Sequence, residues 1–172
     1  MTMLETERLI LREFAVTDAE FILKLLNEPS FIQNIGDRGV RSVADAEGYL
    51  ERGPIASYAT NGFGLLAVVL KETGERMGMC GLIKREALED VDIGYAFLPQ
   101  FWSRGFAVDA AQRVVEFAQE TLGLTRIVAI VDPKNSGSIR VLERIGFAHE
   151  KMIRLSADDI ELKLYARQLR QE

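Results

Sequence analysis

The chain has 172 residues, 48% of them hydrophobic and 27% charged, and a chain of this length buries roughly two-thirds of its unfolded surface without help from disulfides or metals. That balance excludes a disordered protein and predicts one self-sufficient domain over residues 1–172. The 21 Lys and Arg against 26 Asp and Glu give a net charge of -5, which excludes a nucleic-acid footprint spread over the chain.

Cys80 is the sole cysteine and His149 the sole histidine, so no intramolecular disulfide and no Cys/His zinc site can form. A reducing cytoplasm is the expected compartment and no metal is expected. Glu5 and Glu7 interrupt the first apolar stretch, and no segment reaches the ~18 uninterrupted apolar residues of a membrane span. Neither signal peptide nor anchor is expected.

In chain order, Leu9, Leu11 and Phe14 mark a first strand. Thr17-Asp-Ala-Glu20 reads as a capping box opening a helix with Phe21, Ile22, Leu25 and Leu26 on one face, closed by Pro29. Ser42-Val-Ala-Asp45 marks a second helix start, with Ala46, Tyr49 and Leu50 at helical spacing. Two apolar runs, Phe63 to Leu70 and Met77 to Ile83, flank a Glu72-Thr-Gly-Glu75 turn, and Val91 to Leu98 follows them as an antiparallel meander. Alternation in that third run puts Val91, Ile93, Tyr95 and Phe97 on one face and Asp92, Gly94, Ala96 and Leu98 on the other.

Residues 105–122 carry the apolar stripe of an amphipathic helix ending at Gly123. The unbroken run Ile127 to Val131 predicts a strand buried on both faces and paired in parallel within a strand-helix-strand unit. Asn135 to Ile145 reads as a short helix with Ile139, Leu142 and Ile145 inward, stopped by Gly146; Phe147 to Leu155 and Asp159 to Tyr165 read as two closing strands.

The chemistry concentrates on Trp102-Ser-Arg-Gly105-Phe-Ala107, between a strand and the start of the longest helix, where free N–H groups and the helix dipole attract anions. It is neither a P-loop, since G-x-x-x-x-G-K-[ST] is absent, nor a dinucleotide fingerprint, since only Gly105 is available for G-x-G-x-x-G. A strand-glycine-helix turn is by itself more often a plain connection. Asn135 and Ser138 form an N-cap arrangement on their spacing. Cys80 reads as core and His149 as a solvated strand residue, so a covalent cysteine mechanism is rejected; Tyr95 and Trp102 read as packing residues.

The turn resembles the acetyl-coenzyme A loop of the GNAT-type N-acetyltransferases, Q/R-x-x-G-x-G/A, with Trp102 at the first position and then Gly105 and Ala107. Three more stretches resemble the RimJ/RimL-like branch: Thr6-Glu-Arg-Leu-Ile-Leu-Arg12, Asp92-Ile-Gly-Tyr95, and Asn135-Ser-Gly-Ser138 through Leu142-Glu-Arg-Ile-Gly-Phe147. The match runs from about Thr6 to Tyr165.

The resemblance implies an α/β (α+β) GNAT fold: a mixed, largely antiparallel seven-stranded sheet with a parallel pair at its centre where strands splay, flanked by about four helices. It implies acetyl-coenzyme A as cofactor, held at the splay by main-chain groups of Phe97 and Leu98 and at its pyrophosphate by the amides of Ser103, Arg104, Gly105, Phe106 and Ala107. Asn135 and Ser138 would face the pantetheine and the thioester sulfur. Glu143 stands where many members of the superfamily have a tyrosine acid, which leaves Ser138 or water to serve the leaving thiolate. Ser103 stands where the branch commonly has glycine.

Asp92 is the acid expected to meet the acceptor amine, directly or through a water; a capping carboxylate at a strand edge is the alternative. The implied activity is acetylation of a primary amine, either a protein N-terminal α-amine or a small molecule such as a polyamine, amino acid or antibiotic, by direct attack in a ternary complex. A non-catalytic acyl-coenzyme A sensor on the same fold is the reading from another class. No nucleic-acid or membrane partner is expected, and the chain is expected as a monomer or homodimer.

Overall fold

The computed structural model describes residues 1–169. Among the described residues eight strands form one sheet: β1 (Met3–Glu5), β2 (Leu9–Glu13), β3 (Leu65–Leu70), β4 (Arg76–Ile83), β5 (Asp92–Phe97), β6 (Arg126–Val131), β7 (Ala148–Ile153) and β8 (Leu162–Gln168), in the order β1-β2-β3-β4-β5-β6-β8-β7. All neighbours are antiparallel except β5 and β6. The mixed sheet with a central parallel pair is the expected fold, with one strand more than the seven counted. The added strand is β1, three residues with only Leu4 buried, too short to leave a period in the sequence.

The helices are α1 (Ala19–Leu26), α2 (Pro29–Asn34), α3 (Val43–Leu50), α4 (Ala56–Asn61), α5 (Phe106–Glu120) and α6 (Ser136–Arg144). Pro29 does more than close α1: it opens α2 from the first position, where its missing N–H costs nothing. Helix α3 starts where Ser42 accepts the Asp45 amide and then runs through a π-helical stretch containing Pro54 into α4. The two are one broken helix, and the sequence shows only its first half.

The capping expected of Thr17 is performed by Asp18 instead. A 3₁₀ turn (Val16–Asp18) precedes α1, and the Asp18 carboxylate accepts from the Ala15 amide at 2.9 Å. The same carboxylate takes two 2.9 Å bonds from Arg12 on β2 and a 2.7 Å ion pair from Arg76 on β4, while only 1% exposed. It ties α1 to two strands at once.

Helix α5 forms because its small and apolar residues recur on one stripe, and Ala110, Ala111, Val114, Val115, Phe117 and Ala118 are all buried. Leu82 on β4 packs beside Val114 and Phe117, and Leu82 pairs with Ile93, so α5 covers the sheet face that bears Ile93, Tyr95 and Phe97. Helix α6 contacts α5 and follows a second crossover in the same direction, which places it on that face too. The opposite face of β5, bearing Asp92, turns toward α3, where Tyr49 feels the charge of Arg85. Fully buried residues such as Leu9, Leu11, Val68, Leu82 and Ile127 knit the layers, each contributing about 1.5–3 kcal/mol.

Glycine is required where strands come closest. A Cβ on Gly78 of β4 would sit 2.2 Å from the Ala96 carbonyl oxygen of β5, so no side chain fits there.

Burial alone would push the Asp18 carboxyl up, but the bonds from Arg12, the Ala15 amide and the charges of Arg12 and Arg76 outweigh it and hold it below its ordinary 3.8. The unfolded chain therefore protonates first as pH falls, so this stabilisation is complete above the ordinary value and is lost as pH drops through the folded one. Asp18→Asn is expected to cost about 3 kcal/mol at pH 7, and its deficit against the native chain is expected to shrink below about pH 4. Denaturant melts across pH check both.

Candidate active site

The site begins with a failure of pairing. Strands β5 and β6 share one register pair, Asp92 with Val128, marked by a 3.1 Å bond from the Val128 amide to the Val91 carbonyl; beyond it they diverge. The Leu98 amide donates to Met77 on β4, so the two-residue alternation turns the main-chain groups of Ile93, Tyr95 and Phe97 toward β6. Past the single pair, those of Tyr95 and the Phe97 N–H face an open wedge. The Phe97 carbonyl receives the Trp102 indole N–H at 2.9 Å. Both main-chain groups of Leu98 are used inside the chain, its N–H by Met77 and its carbonyl by the Phe101 amide. Of the expected pair Phe97 and Leu98, Phe97 has the group free for an amide-bearing ligand, and Tyr95 adds two.

At the mouth of the wedge, Pro99–Phe101 makes a 3₁₀ turn and the chain then rises into α5. Gly105 is the residue before the helix, at φ +81°, and no side chain caps the first turn. The amides of Phe106, Ala107 and Val108 precede the first helical bond, made by Asp109 to the Gly105 carbonyl, so they point outward without intrahelical partners. Ser103 and Arg104 are exposed, Phe106 is buried and Ala107 half-buried. Ser103 holds φ +60°, the one non-glycine in the left-handed region among the described residues, at about 1–2 kcal/mol relative to glycine's freedom there. Ser103, standing where the branch commonly has glycine, thus takes a backbone conformation that glycine adopts freely.

Two guanidinium groups stand beside these amides. Arg8 lies 4.5 Å from the Phe106 ring centre and donates to the Arg104 carbonyl at 3.0 Å, while Arg104 lies 5.0 Å from the same ring. Thr6 donates to Asp109 at 2.9 Å, so the segment entering β2 is bolted to the first turn of α5. Amides, helix dipole and two cations make an anion cradle, which fits a pyrophosphate. Arg8 is a component that sequence reasoning missed; its place in the Thr6–Arg12 motif was the available signal.

Across the wedge, α6 begins with Asn135, whose carboxamide oxygen accepts the Ser138 amide at 3.2 Å. Asn135 is thus the cap and Ser138 is capped, so the Ser138 hydroxyl is free of cap duty. It lies 2.9 Å from the Tyr95 hydroxyl, which is also 2.9 Å from the Ser138 carbonyl. Asn135 and Ser138 are half-buried, and Glu143 is exposed on the same helix.

Asp92 sits apart from this cluster in burial. It is 1% exposed, with its two oxygens 3.1 and 3.3 Å from Arg85 Nε. Burial pushes its carboxyl up, against the pull of Arg85. It is an inward ion pair, neither a solvent-facing carboxylate nor a turn cap. Cys80 is wholly buried on β4, which drives its thiol pKa up, and His149 is exposed on β7 against Tyr165. No group of three metal-binding side chains occurs among the described residues.

Residues 8–148 match the acetyltransferase (GNAT) domain family. The chain belongs to the GNAT acetyltransferases. An N-acetyltransferase of Bacillus licheniformis, p20, described as uncharacterized, is 30% identical over 90% of this chain and 86% of its own. A crystal structure of an acetyltransferase from Agrobacterium tumefaciens superposes with a TM-score of 0.84 at 28% identity, covering 98% of this chain and 95% of that one. RimL, the ribosomal L7/L12 α-N-protein acetyltransferase solved with coenzyme A, superposes equally well, 0.84 over 98% of each chain, at 18% identity, a likeness of fold.

For a GNAT enzyme, which takes its acetyl group from acetyl-coenzyme A, the wedge and the cradle have the shape and polarity the cofactor needs: a strand edge for a peptide-like arm and amides with cations for phosphates. One of the expected residues, Asp92, stands behind Arg85 on the α3 side of β5. Arg85→Ala is expected to leave that buried acid unpaired, driving its carboxyl further up and costing about 3 kcal/mol at neutral pH. Because a raised carboxyl loses stability as pH rises from its unfolded value toward its folded one, the deficit is expected to grow as pH rises above about 4. Equilibrium unfolding followed upward from that pH measures it.

Proposed function

We propose that this acetyltransferase moves the acetyl group to the α-amine of a protein N-terminus by direct attack in a ternary complex, as one cytoplasmic domain. The observation that carries the reading is the single-pair contact of β5 and β6 beside the uncapped start of α5. The sole cysteine, unpaired and buried, agrees with a reducing compartment, and among the described residues no helix is long and apolar enough to cross a membrane.

The residues divide the work. Amides of Ser103, Arg104, Gly105, Phe106 and Ala107, with Arg8 and Arg104, hold the pyrophosphate; main-chain groups of Tyr95 and Phe97 hold the arm, with Asn135 opposite. Acetyl-coenzyme A supplies, when bound, a thioester carbon open to attack. The Ser138 hydroxyl donates a hydrogen bond to the sulfur as charge develops there. At pH 7 about one α-amine in seven is neutral, against about one lysine amine in a few thousand, so an α-amine needs no strong base. With Asp92 buried behind Arg85, the site offers the acceptor no strong base, which suits an α-amine. The fold shared with RimL, an α-amine acetyltransferase, agrees with that choice.

Acetyl-coenzyme A at a hundredfold excess over Kd is expected to stabilise the chain by about 2.7 kcal/mol, which raises Tm by roughly 5–10 °C, while ATP and NAD raise it far less. Gly105→Val is expected to remove that shift, because a β-branched residue cannot hold φ +81°. A folded variant with unchanged affinity by calorimetry would take the turn out of the site.

Ser138→Ala is expected to keep cofactor affinity within a few-fold and to lower the single-turnover rate about tenfold, near 1.4 kcal/mol of transition-state stabilisation. Glu143→Ala is expected to affect that rate much less. A panel of N-terminal peptides, lysine peptides, polyamines and aminoglycosides, read by thiol release, decides the acceptor class; cofactor binding with no turnover on any of them would favour a sensor.

A further inference from the structure

The Tyr95 hydroxyl has one hydrogen and two neighbours on the same residue, the carbonyl and the hydroxyl of Ser138, each at 2.9 Å. A carbonyl can only accept, so with the Tyr95 proton on the carbonyl the 2.9 Å contact between the two hydroxyls is a hydrogen bond only when Ser138 points its own hydrogen back at Tyr95. In that arrangement Ser138 offers nothing to a sulfur. If the Tyr95 proton turns to Ser138 Oγ, the Ser138 hydrogen is released into the wedge. The turn is cheap, because the Ser138 carbonyl lies inside α6 and keeps its helical partner four residues on.

From this we infer that Tyr95 is a positioning residue whose hydroxyl sets the direction of the Ser138 O–H, so that Ser138 points its hydrogen at the leaving sulfur. The inference rests on the proposed role of Ser138 and extends it to a residue 43 positions away on β5, across the wedge. During transfer the amine nitrogen bonds to the acetyl carbon, the carbon–sulfur bond breaks, and its electron pair stays on sulfur. The proton shed by nitrogen goes to water. Ser138 donates a hydrogen bond to the new charge, Tyr95 donates one to Ser138 Oγ behind it, and both keep their protons. Enclosure drives the Tyr95 hydroxyl pKa well above the ordinary tyrosine value, which keeps it a donor at neutral pH.

The test uses Tyr95→Phe, Ser138→Ala and the double variant of the whole chain, with two readouts. One is the single-turnover acetylation rate at saturating acetyl-coenzyme A. The other involves no turnover: the ultraviolet thiolate absorbance of bound coenzyme A titrated against pH, to which the sole and buried Cys80 adds nothing below its raised pKa. Tyr95→Phe is expected to lower the rate about five- to tenfold with acetyl-coenzyme A affinity within twofold, and to raise the pKa of the bound thiol. In the Ser138→Ala background it is expected to change neither quantity.

Full rate and an unshifted thiol in Tyr95→Phe, or losses that add to those of Ser138→Ala, would overturn the positioning role. Ser138→Ala with native rate and native thiol titration would instead overturn the role of Ser138 itself, a separable result. Should Tyr95→Phe fail to fold, 3-fluorotyrosine placed at 95 keeps ring and hydroxyl while strengthening the donor. It is expected to lower the bound thiol pKa when Ser138 is present and not in Ser138→Ala; no difference between the two backgrounds would count against the inference.

Discussion

Everything the site offers follows from two adjacent strands that agree on one residue pair and then part. A parallel pair carried to full length would satisfy the main-chain groups of Tyr95 and Phe97 and leave nothing for a ligand. Bringing strands together at Asp92 and Val128 and then separating them leaves polar backbone inside the sheet rather than at its outer edge. Such groups are costly to leave dry and so call for a partner: the Trp102 indole meets the Phe97 carbonyl at one end, while the Tyr95 side chain reaches Ser138 and bridges the two sides.

Arrangement around the wedge is a matter of long-range ties. Asp18 joins α1 to β2 and β4, Thr6 and Arg8 join the chain's first segments to the start of α5, and Arg85 pins Asp92 at the base of the divergence. Buried carboxylates matched to arginines do not rank as strong stabilisers against an apolar packing of the same volume. Their value here is geometric, since each fixes an element whose position sets the width of the wedge or the height of the cradle.

Periodic segments were legible in the sequence. The stripe of α5, the apolar runs of β3 and β4, the alternation of β5 and the buried run of β6 follow from side-chain spacing alone, and the resemblance carried by Gly105, Asp92-Ile-Gly-Tyr95 and Asn135 to Ser138 pointed to the right family. What escaped had no local signature. Strand β1 is too short to show a repeated alternation, α4 hides behind a π-helical stretch, and Thr17-Asp-Ala-Glu20 reads as a cap because the pull of Arg12 and Arg76 on Asp18 is not local. Arg85 was invisible as a site component for the same reason, since it acts on a residue brought near by the sheet, and Arg8 showed only as part of the Thr6–Arg12 motif, without its partners at the start of α5. Tyr95 was placed as packing, and its ring is half-buried, but its hydroxyl reaches a helix that the sequence puts 43 residues on.

The strand order carries a consequence for how the chain folds. Strand β8 follows β7 in the sequence yet lies between β6 and β7. During folding β7 therefore has no neighbour to pair with until β8 is seated, and the edge of β6 stays open until residues 162–168 fill the slot. An intermediate in which that last strand has not docked presents the open edge of β6 beside an unpaired β7, which is the state most open to capture by another copy or by a chaperone.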